Sequence, residues 1–592
     1  MASFGFINVS RTLSALPQGL KPQILCGRDG TAEAVPYRGA IYETSSGSHD
    51  SAAPVKLGFF ARGLRTLRPS HQHSNTSATL LLMAAVMLSR VIGYVREAYI
   101  AWAFGAGRLT DAYVAGFTIP DFLNYIVAGG AASITFISIY SRFLAEKRED
   151  EAEKTFSIII TVMTTVLAVG IVIAEIYTPQ LLRLVVPKFD ADQMALCVHL
   201  TRILLPAQIF FYVGGVVSAV LLSRRLFLFP AFGPLLYNVF IILGGLVLGK
   251  QFGISSLAYG ALAGAFIGPF LVNAIGAARI GTGFRLSFDV RNPAFLEWAR
   301  LSIPLMLGFS LVTADDWILR HFASGGLGDI TRLNYAKRLF AVPIAVLGQA
   351  TGQASLPFFA KLFGEKRMSE FAETVNASVY RITAASFLAT GWMMAAALPV
   401  IDLVYRRGKF SVGDSHITAI YFFWFALSLA CWCAQGLYAR AFYAAGDTLT
   451  PMIACTLITI ASLPLYSILF QKFSFVGLAA ASDVGILANT LALALLLHSR
   501  RLVRWDGLPW IELTKSALIA VAAGGLSYEA ARIIPASDTR WGDFLSLGLT
   551  TLTWAAAVAA GLWLTGSDLL RGLRAAPNAP NNGGAGVPPV LS

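Results

Sequence analysis

Segments apolar enough and long enough to cross a bilayer follow one another almost without pause from residue 79 to residue 566. They fall at 79–104, 111–140, 156–177, 196–221, 231–249, 254–277, 298–322, 335–359, 378–404, 416–443, 450–470, 474–498, 512–534 and 544–566. That makes about fourteen, each able to cover roughly 30 Å of hydrocarbon at about 1.5 Å per residue. In lipid a peptide group has no water to bond, and an open sheet edge stays unsatisfied, so these segments read as helices. The chain is expected to be an all-α polytopic membrane protein. Its composition agrees: 56% of residues are hydrophobic and 13% charged, where soluble domains carry about 25% charged. The mean hydropathy is +0.63.

The two ends differ from the middle. Residues 1–77 are rich in Ser, Gly, Pro and Arg without a sustained apolar period, and read as a disordered basic tail. Residues 571–592 are rich in Pro, Gly and Asn and read the same way. The net charge of +13 does not point to nucleic acid, because the basic residues are spread through short loops between apolar spans. Basic loops follow the second, fourth, sixth, eighth and twelfth spans: "SRFLAEKREDEAEK", "SRRLF", "ARIGTGFRLSFDVRNP", "KLFGEKR" and "HSRRLVRW". All five share one side if both termini are cytoplasmic. The other side carries Arg332, Lys337, Arg406, Arg407 and Lys409. The five cysteines, Cys26, Cys197, Cys431, Cys433 and Cys455, form no redox or zinc pattern, and the last three read as apolar filler.

Charge inside the spans is the signal of function. "LSRVIGYVREAYIAWAFGAGRLTDAY" places Arg90, Arg96 and Glu97 in the first span and Asp111 at the head of the second. An arginine at mid-membrane costs about 2.5–3.5 kcal/mol, so it is kept for a counter-charge or a polar ligand. Arg90 and Arg96 lie about 120° apart on a straight helix at roughly 100° per residue, and a bend at Gly93 would turn both to one cavity. The structural alternative is an internal pair of either arginine with Glu97 or Asp111. Asp111 also suits a helix N-terminus. A second cluster, "ADDWILRHFASGGLGDITRLNYAKRLFAVP", holds Asp316 and Arg320 at pairing distance along a helix, then Lys337 and Arg338, which could instead snorkel to the interface. Arginines on separate helix pairs suit an anion, since guanidinium binds phosphate bidentately and stays charged. A lipid-linked diphosphate fits. No Walker A, zincin or nucleophile-elbow motif is present, and the seven histidines are too scattered for a metal site. No catalytic residue, metal or cofactor is expected.

The order of these motifs resembles the MurJ (MviN) family of lipid II flippases, in the superfamily of multidrug and polysaccharide exporters. "SRVIGYVREAYIAWAFGAGRLTDAYVAGFTIPDFL", "LNYAKRLFAVPIAVLGQATGQASLPFFAK", "YRRGKF" and "ARAFYAAGDTLTPM" carry it, over about residues 78–570. The resemblance implies two pseudo-symmetric six-helix lobes around a central cavity, an N-lobe at 78–280 and a C-lobe at 281–499. It implies a lipid-tail groove built by two further helices within 500–570. By motif position it assigns diphosphate binding to Arg90, Arg96 and Arg338, with Asp111 as the acid of "TDA". This chain departs from the family where Asn124 and Tyr125 replace a basic pair, where Ala128–Ala131 lacks an acid, and where Lys337 precedes Arg338 in place of an acid.

The function expected is alternating-access transfer of lipid II from the cytoplasmic to the outer leaflet of a bacterial inner membrane. Its partners would be lipid II, membrane lipids and the cell-wall synthesis machinery. The alternatives are a flippase for another polyprenyl-diphosphate glycan, or a cation-coupled drug antiporter using Asp315, Asp316 or Asp483. A membrane glycosyltransferase would need a large loop with acid–base residues, and the longest loops between spans have about 20 residues.

Overall fold

The computed structural model describes residues 75–128, 131–306, 311–533 and 539–569. The tails expected at 1–77 and 571–592 lie outside them, except that residues 75–77 already belong to the first helix. Among the described residues there are helices and no strand.

Each of the fourteen apolar segments falls on helix, yet few are single rods. Helix α1 runs unbroken over Asn75–Phe104. The second segment is split into α2 (Arg108–Gly116), α3 (Thr118–Ala128) and α4 (Ala131–Ala145). Helix α5 (Glu149–Val185) is followed by α6 (Ala191–Leu204) and α7 (Ala207–Ser223), which part at Pro206, whose ring cannot donate to the ladder. Helix α8 (Leu228–Phe252) leads to α9 (Ser255–Ala265), a π-helical stretch Phe266–Val272 holding Pro269, and α10 (Asn273–Arg279). Helix α8 lies on α9 through small residues. A Cβ at Gly260 would meet the Phe240 carbonyl at 2.5 Å, and one at Gly268 the Gly233 carbonyl at 2.5 Å. Glycine at Gly260, Gly264 and Gly268, in four-residue steps, lets two backbones touch where lipid supplies no hydrophobic drive.

The second half begins with α11 (Pro293–Met306) and α12 (Leu311–Ala323). Helix α11 packs against α4 and α5, and α12 packs on α5 as well as on the later helices, so this pair bridges the halves. Helix α13 (Asp329–Pro343) passes through a π stretch, Ile344–Gln349, into α14 (Ala350–Gly364). Helices α15 (Met368–Ala395) and α16 (Ala397–Val404) meet at 66°, and α17 (Val412–Leu427) and α18 (Leu429–Ala444) at 42°. Helix α19 (Leu449–Ser499) is two helices joined at Ser474, where φ is 55° and ψ −139°. Helices α20 (Trp510–Ile533) and α21 (Arg540–Leu564) complete the bundle. Among the described residues, seven continuous helical stretches, some running through a proline or π break, are long and apolar enough to cross a membrane, and up to nine if each bent pair is one span.

One end of the bundle is shut. The Asp111 carboxylate accepts from the Gly328 N–H at 2.6 Å, the Thr331 N–H at 2.8 Å and the Thr331 hydroxyl at 2.7 Å, tying α2 to the head of α13. Lys409 N–H donates to the Trp102 carbonyl at 2.9 Å. Gly408 turns there at φ 62°, and a Cβ on it would lie 2.3 Å from the same carbonyl. At the other end, ion pairs stay local: Arg142 with Glu297 at 2.6 Å, Lys154 with Asp289 at 3.0 Å, and Arg500 with Asp447. Among the described residues, no ion pair joins residues 75–280 to residues 311–499 at that end.

Candidate functional site: a charged cavity between two helix groups

Arg96 lies eight residues before the end of α1, and Lys337 and Arg338 eight and nine after the start of α13. At about 1.5 Å per residue all lie roughly 12–14 Å below the shut end, in the middle of the bundle. There they meet across the two halves. Glu97 accepts from Arg96 at 2.5 Å and pairs with Arg338 Nε at 3.3 Å. Arg96 donates its other terminal nitrogen to Asn238 of α8 at 2.7 Å. The Tyr94 hydroxyl donates to the Arg338 carbonyl at 3.3 Å.

The three predicted arginines are therefore not equivalent. Arg96 is braced on two sides, with its side chain 12% exposed. Arg338 keeps its side chain 46% exposed, held only by Glu97. Arg90 is exposed, and among the described residues its side chain makes no hydrogen bond or ion pair. No break at Gly93 turns α1; the helix continues through it, and Gly93 faces Asn238.

The supporting charges differ from expectation in three places. Asp111 holds no arginine. Its carboxylate serves the backbone of the opposite half, because the turn before α13 offers two N–H groups that would otherwise lie buried without acceptors. Asp316 does not pair with Arg320. It takes Lys337 at 2.5 Å, and Asp315 takes the same ammonium at 2.6 Å. Lys337 thus does not snorkel outward; it points inward between two carboxylates. Arg320, released from Asp316, donates to the Thr118 hydroxyl of α3 at 2.7 Å.

Reading the sequence missed Asn238, Tyr94 and Asp121. Asn238 is a lone amide in the apolar run "LLYNVF", and Asp121 an acid inside the second span; both are visible as polar interruptions. Asp121 is exposed and faces Arg320, Arg338 and Asp316.

A helical bundle whose two halves are tied together at one end, with charged side chains of both halves meeting at mid-depth, is the architecture of an alternating-access membrane transporter. Residues 100–539 match the family model described as "Lipid II flippase MurJ". A probable lipid II flippase MurJ of Rhizobium tropici is 25% identical over 478 residues, covering 79% of this chain and 88% of that protein. The lipid II flippase MurJ of Burkholderia cenocepacia is 28% identical over 436 residues, covering 72% and 84%. Among solved structures, a lipid II flippase MurJ in an inward closed conformation superposes with a TM-score of 0.68 at 20% identity, over 82% of this chain and 99% of that one. An inward-facing multidrug transporter of the MATE family superposes with a TM-score of 0.57 at 14% identity, over 71% and 98%. The chain belongs to the MurJ family.

Proposed function

We propose that the chain carries lipid II, a polyprenyl-diphosphate glycopeptide, from the cytoplasmic to the outer leaflet of a bacterial inner membrane. The observation that carries this reading is the unequal arginine set: Arg338 is half exposed and held by Glu97 alone, Arg90 is exposed near Tyr94, which bonds the Arg338 carbonyl, and Arg96 is fixed by Glu97 and Asn238. Substrate would replace Glu97 as the partner of Arg338, so binding at the arginines and rearrangement of α1 against α13 are one event. Arg320 and Asp121 stand close enough to orient the sugar–phosphate.

The topology that accompanies this reading has fourteen spans with both termini cytoplasmic. It places the shut end outside and the basic loops inside, and the N-lobe at residues 78–280, the C-lobe at 281–499. The tail would occupy a cavity of about 1130 Å³ between α15–α17 and α20–α21, the last two within the 500–570 region expected to serve it. That cavity is apolar at Phe387, Met394, Phe423, Trp424 and Val521, with Asp402, His416, Arg532 and Asp543 at its outer rim. Cell-wall synthesis enzymes are the expected suppliers and consumers of the cargo. The drug–cation alternative has less support: the arginine cluster suits an anion, and Lys337 already fills two of the three candidate acids, Asp315 and Asp316.

The test is rescue of a bacterium depleted of its own lipid II flippase. Growth with this chain, and outer-leaflet lipid II restored, is the expected result. Normal membrane insertion without rescue overturns the reading.

A further inference from the structure

Asp483 lies in the second half of α19, nine residues past the Ser474 turn, about 13 Å below the shut end. Both of its carboxyl oxygens are buried and, among the described residues, neither has a hydrogen-bond partner. The groups facing it are Ser428 at the bend between α17 and α18, Cys431 of α18, Tyr466 of the first half of α19, and Asp315 of α12. Ser428 spends its hydroxyl proton on the Phe425 carbonyl at 2.9 Å. Tyr466 donates to Asp315, and Ser482 donates to Asp315 at 3.1 Å. None of these neighbours is a cation. The nearest ammonium, Lys337, is held beyond Asp315 and shared with the cavity-facing Asp316. A bare carboxylate at this depth has neither donor nor counter-charge, and such a group neutralises rather than stay ionised.

We propose that Asp483 is a proton-binding site of the second helix group, and that its proton is linked to the diphosphate in the cavity through Asp315, Lys337 and Asp316. With Asp483 protonated, Lys337 balances Asp315 and Asp316 together, as the structure has it. When Asp483 releases its proton to water in the cavity, a second negative charge appears beside Asp315. Lys337 is drawn toward that pair, and Asp316 is left less compensated at the cavity wall. The added negative charge opposes an anionic cargo. Linkage is reciprocal, so bound diphosphate also tightens the proton. This rests on the proposed lipid II reading for the identity of the anion, but the proton site itself does not.

Two measurements on the full chain in lipid nanodiscs separate the parts. Infrared spectroscopy across a pH series reads the protonated carboxyl directly. A protonated-acid carbonyl band at neutral pH that disappears in Asp483→Asn is expected. An identical band pattern in the variant overturns the site. Lipid II binding is then measured across the same series; its phosphates are diesters and keep their charge there. Wild type should weaken at least about fivefold as Asp483 ionises, while Asp483→Asn, which mimics the protonated form, keeps the tight value at every pH. A flat wild-type profile, or a variant that keeps the wild-type slope, overturns the linkage. If lipid II binds neither protein, the cargo assignment fails and the infrared series still decides whether Asp483 holds the proton.

Discussion

At the scale of single residues, the three arginines stand in two kinds of surroundings, and their variants should divide accordingly. Arg338 is half in the open and has one weak partner. Its replacement by alanine should leave the fold intact and weaken lipid II about tenfold or more, since a hydrogen bond to a charged group is worth roughly 1.5–3 kcal/mol. Lysine should restore little, lacking the bidentate fork. Arg90→Ala should behave alike. Arg96→Ala takes the closer of two cations from the buried Glu97 and leaves the Asn238 amide oxygen without its donor, so it should cost about 1–3 kcal/mol of stability. Parallel lipid II titrations and thermal unfolding of the three variants check this; a destabilised Arg338→Ala beside a stable Arg96→Ala would reverse the assignment. The arginines themselves were legible in the sequence, because charge inside an apolar span stands out. Their unequal roles were not. The brace on Arg96 comes from Asn238, 142 positions away, and nothing in the first span announces it.

At the scale of elements, apolar length was enough to find every helical segment, and prolines marked the break at Pro206 and the π stretch at Pro269. The 66° bend at Ala396 precedes Pro399, which cannot bond the Ala395 carbonyl, whereas the 42° bend falls at Ser428, where no proline or glycine stands. The second bend has no local signature. The seal is a matter of elements too. Asp111→Ala removes three hydrogen bonds between α2 and α13. At about 0.5–1.5 kcal/mol each, the outward-open population should rise about tenfold or more. Gly408→Ala should act in the same direction through its clash with Trp102. Labelling of a cysteine placed in the cavity by a reagent confined to the outer side measures both; unchanged labelling would mean that the seal lies elsewhere. At the opposite end, the turn between α18 and α19 is stapled by Asp447. Partial burial raises its carboxyl, but the Thr450 hydroxyl, the Thr450 N–H and Arg500 outweigh that and hold it at about 2. A depressed acid stabilises above its ordinary value and lets go as pH falls through the folded one. Amide protection at Gly446–Thr450 should therefore persist to about pH 3, and drop at neutral pH in Asp447→Asn.

At the scale of the whole molecule, the shut end concentrates the membrane field. With the arginines near the middle and water reaching them from the unsealed end, the remaining potential would fall across the plug formed by α2, α13 and the turn at Gly408. Reorienting the halves moves that plug past the cargo, and the diphosphate crosses the field. Carrying about two negative charges outward over about 100 mV, inside negative, gains roughly 4–5 kcal/mol at about 2.3 kcal/mol per charge. That shifts the equilibrium between the two orientations by up to about a thousandfold. Arg90 and Arg338 travelling with the cargo would cancel part of this, so the measured dependence reports how far they move. Outer-leaflet lipid II in vesicles, with the potential set by potassium and valinomycin and the pH gradient held, gives the answer. Accumulation should grow steeply with the potential, and Asp483→Asn should retain that response, because the field acts on the diphosphate and not on the proton. Flipping that continues unchanged when the potential is collapsed would rule out a field-driven cycle. Loss of the voltage response in Asp483→Asn would instead place the moving charge in the second helix group.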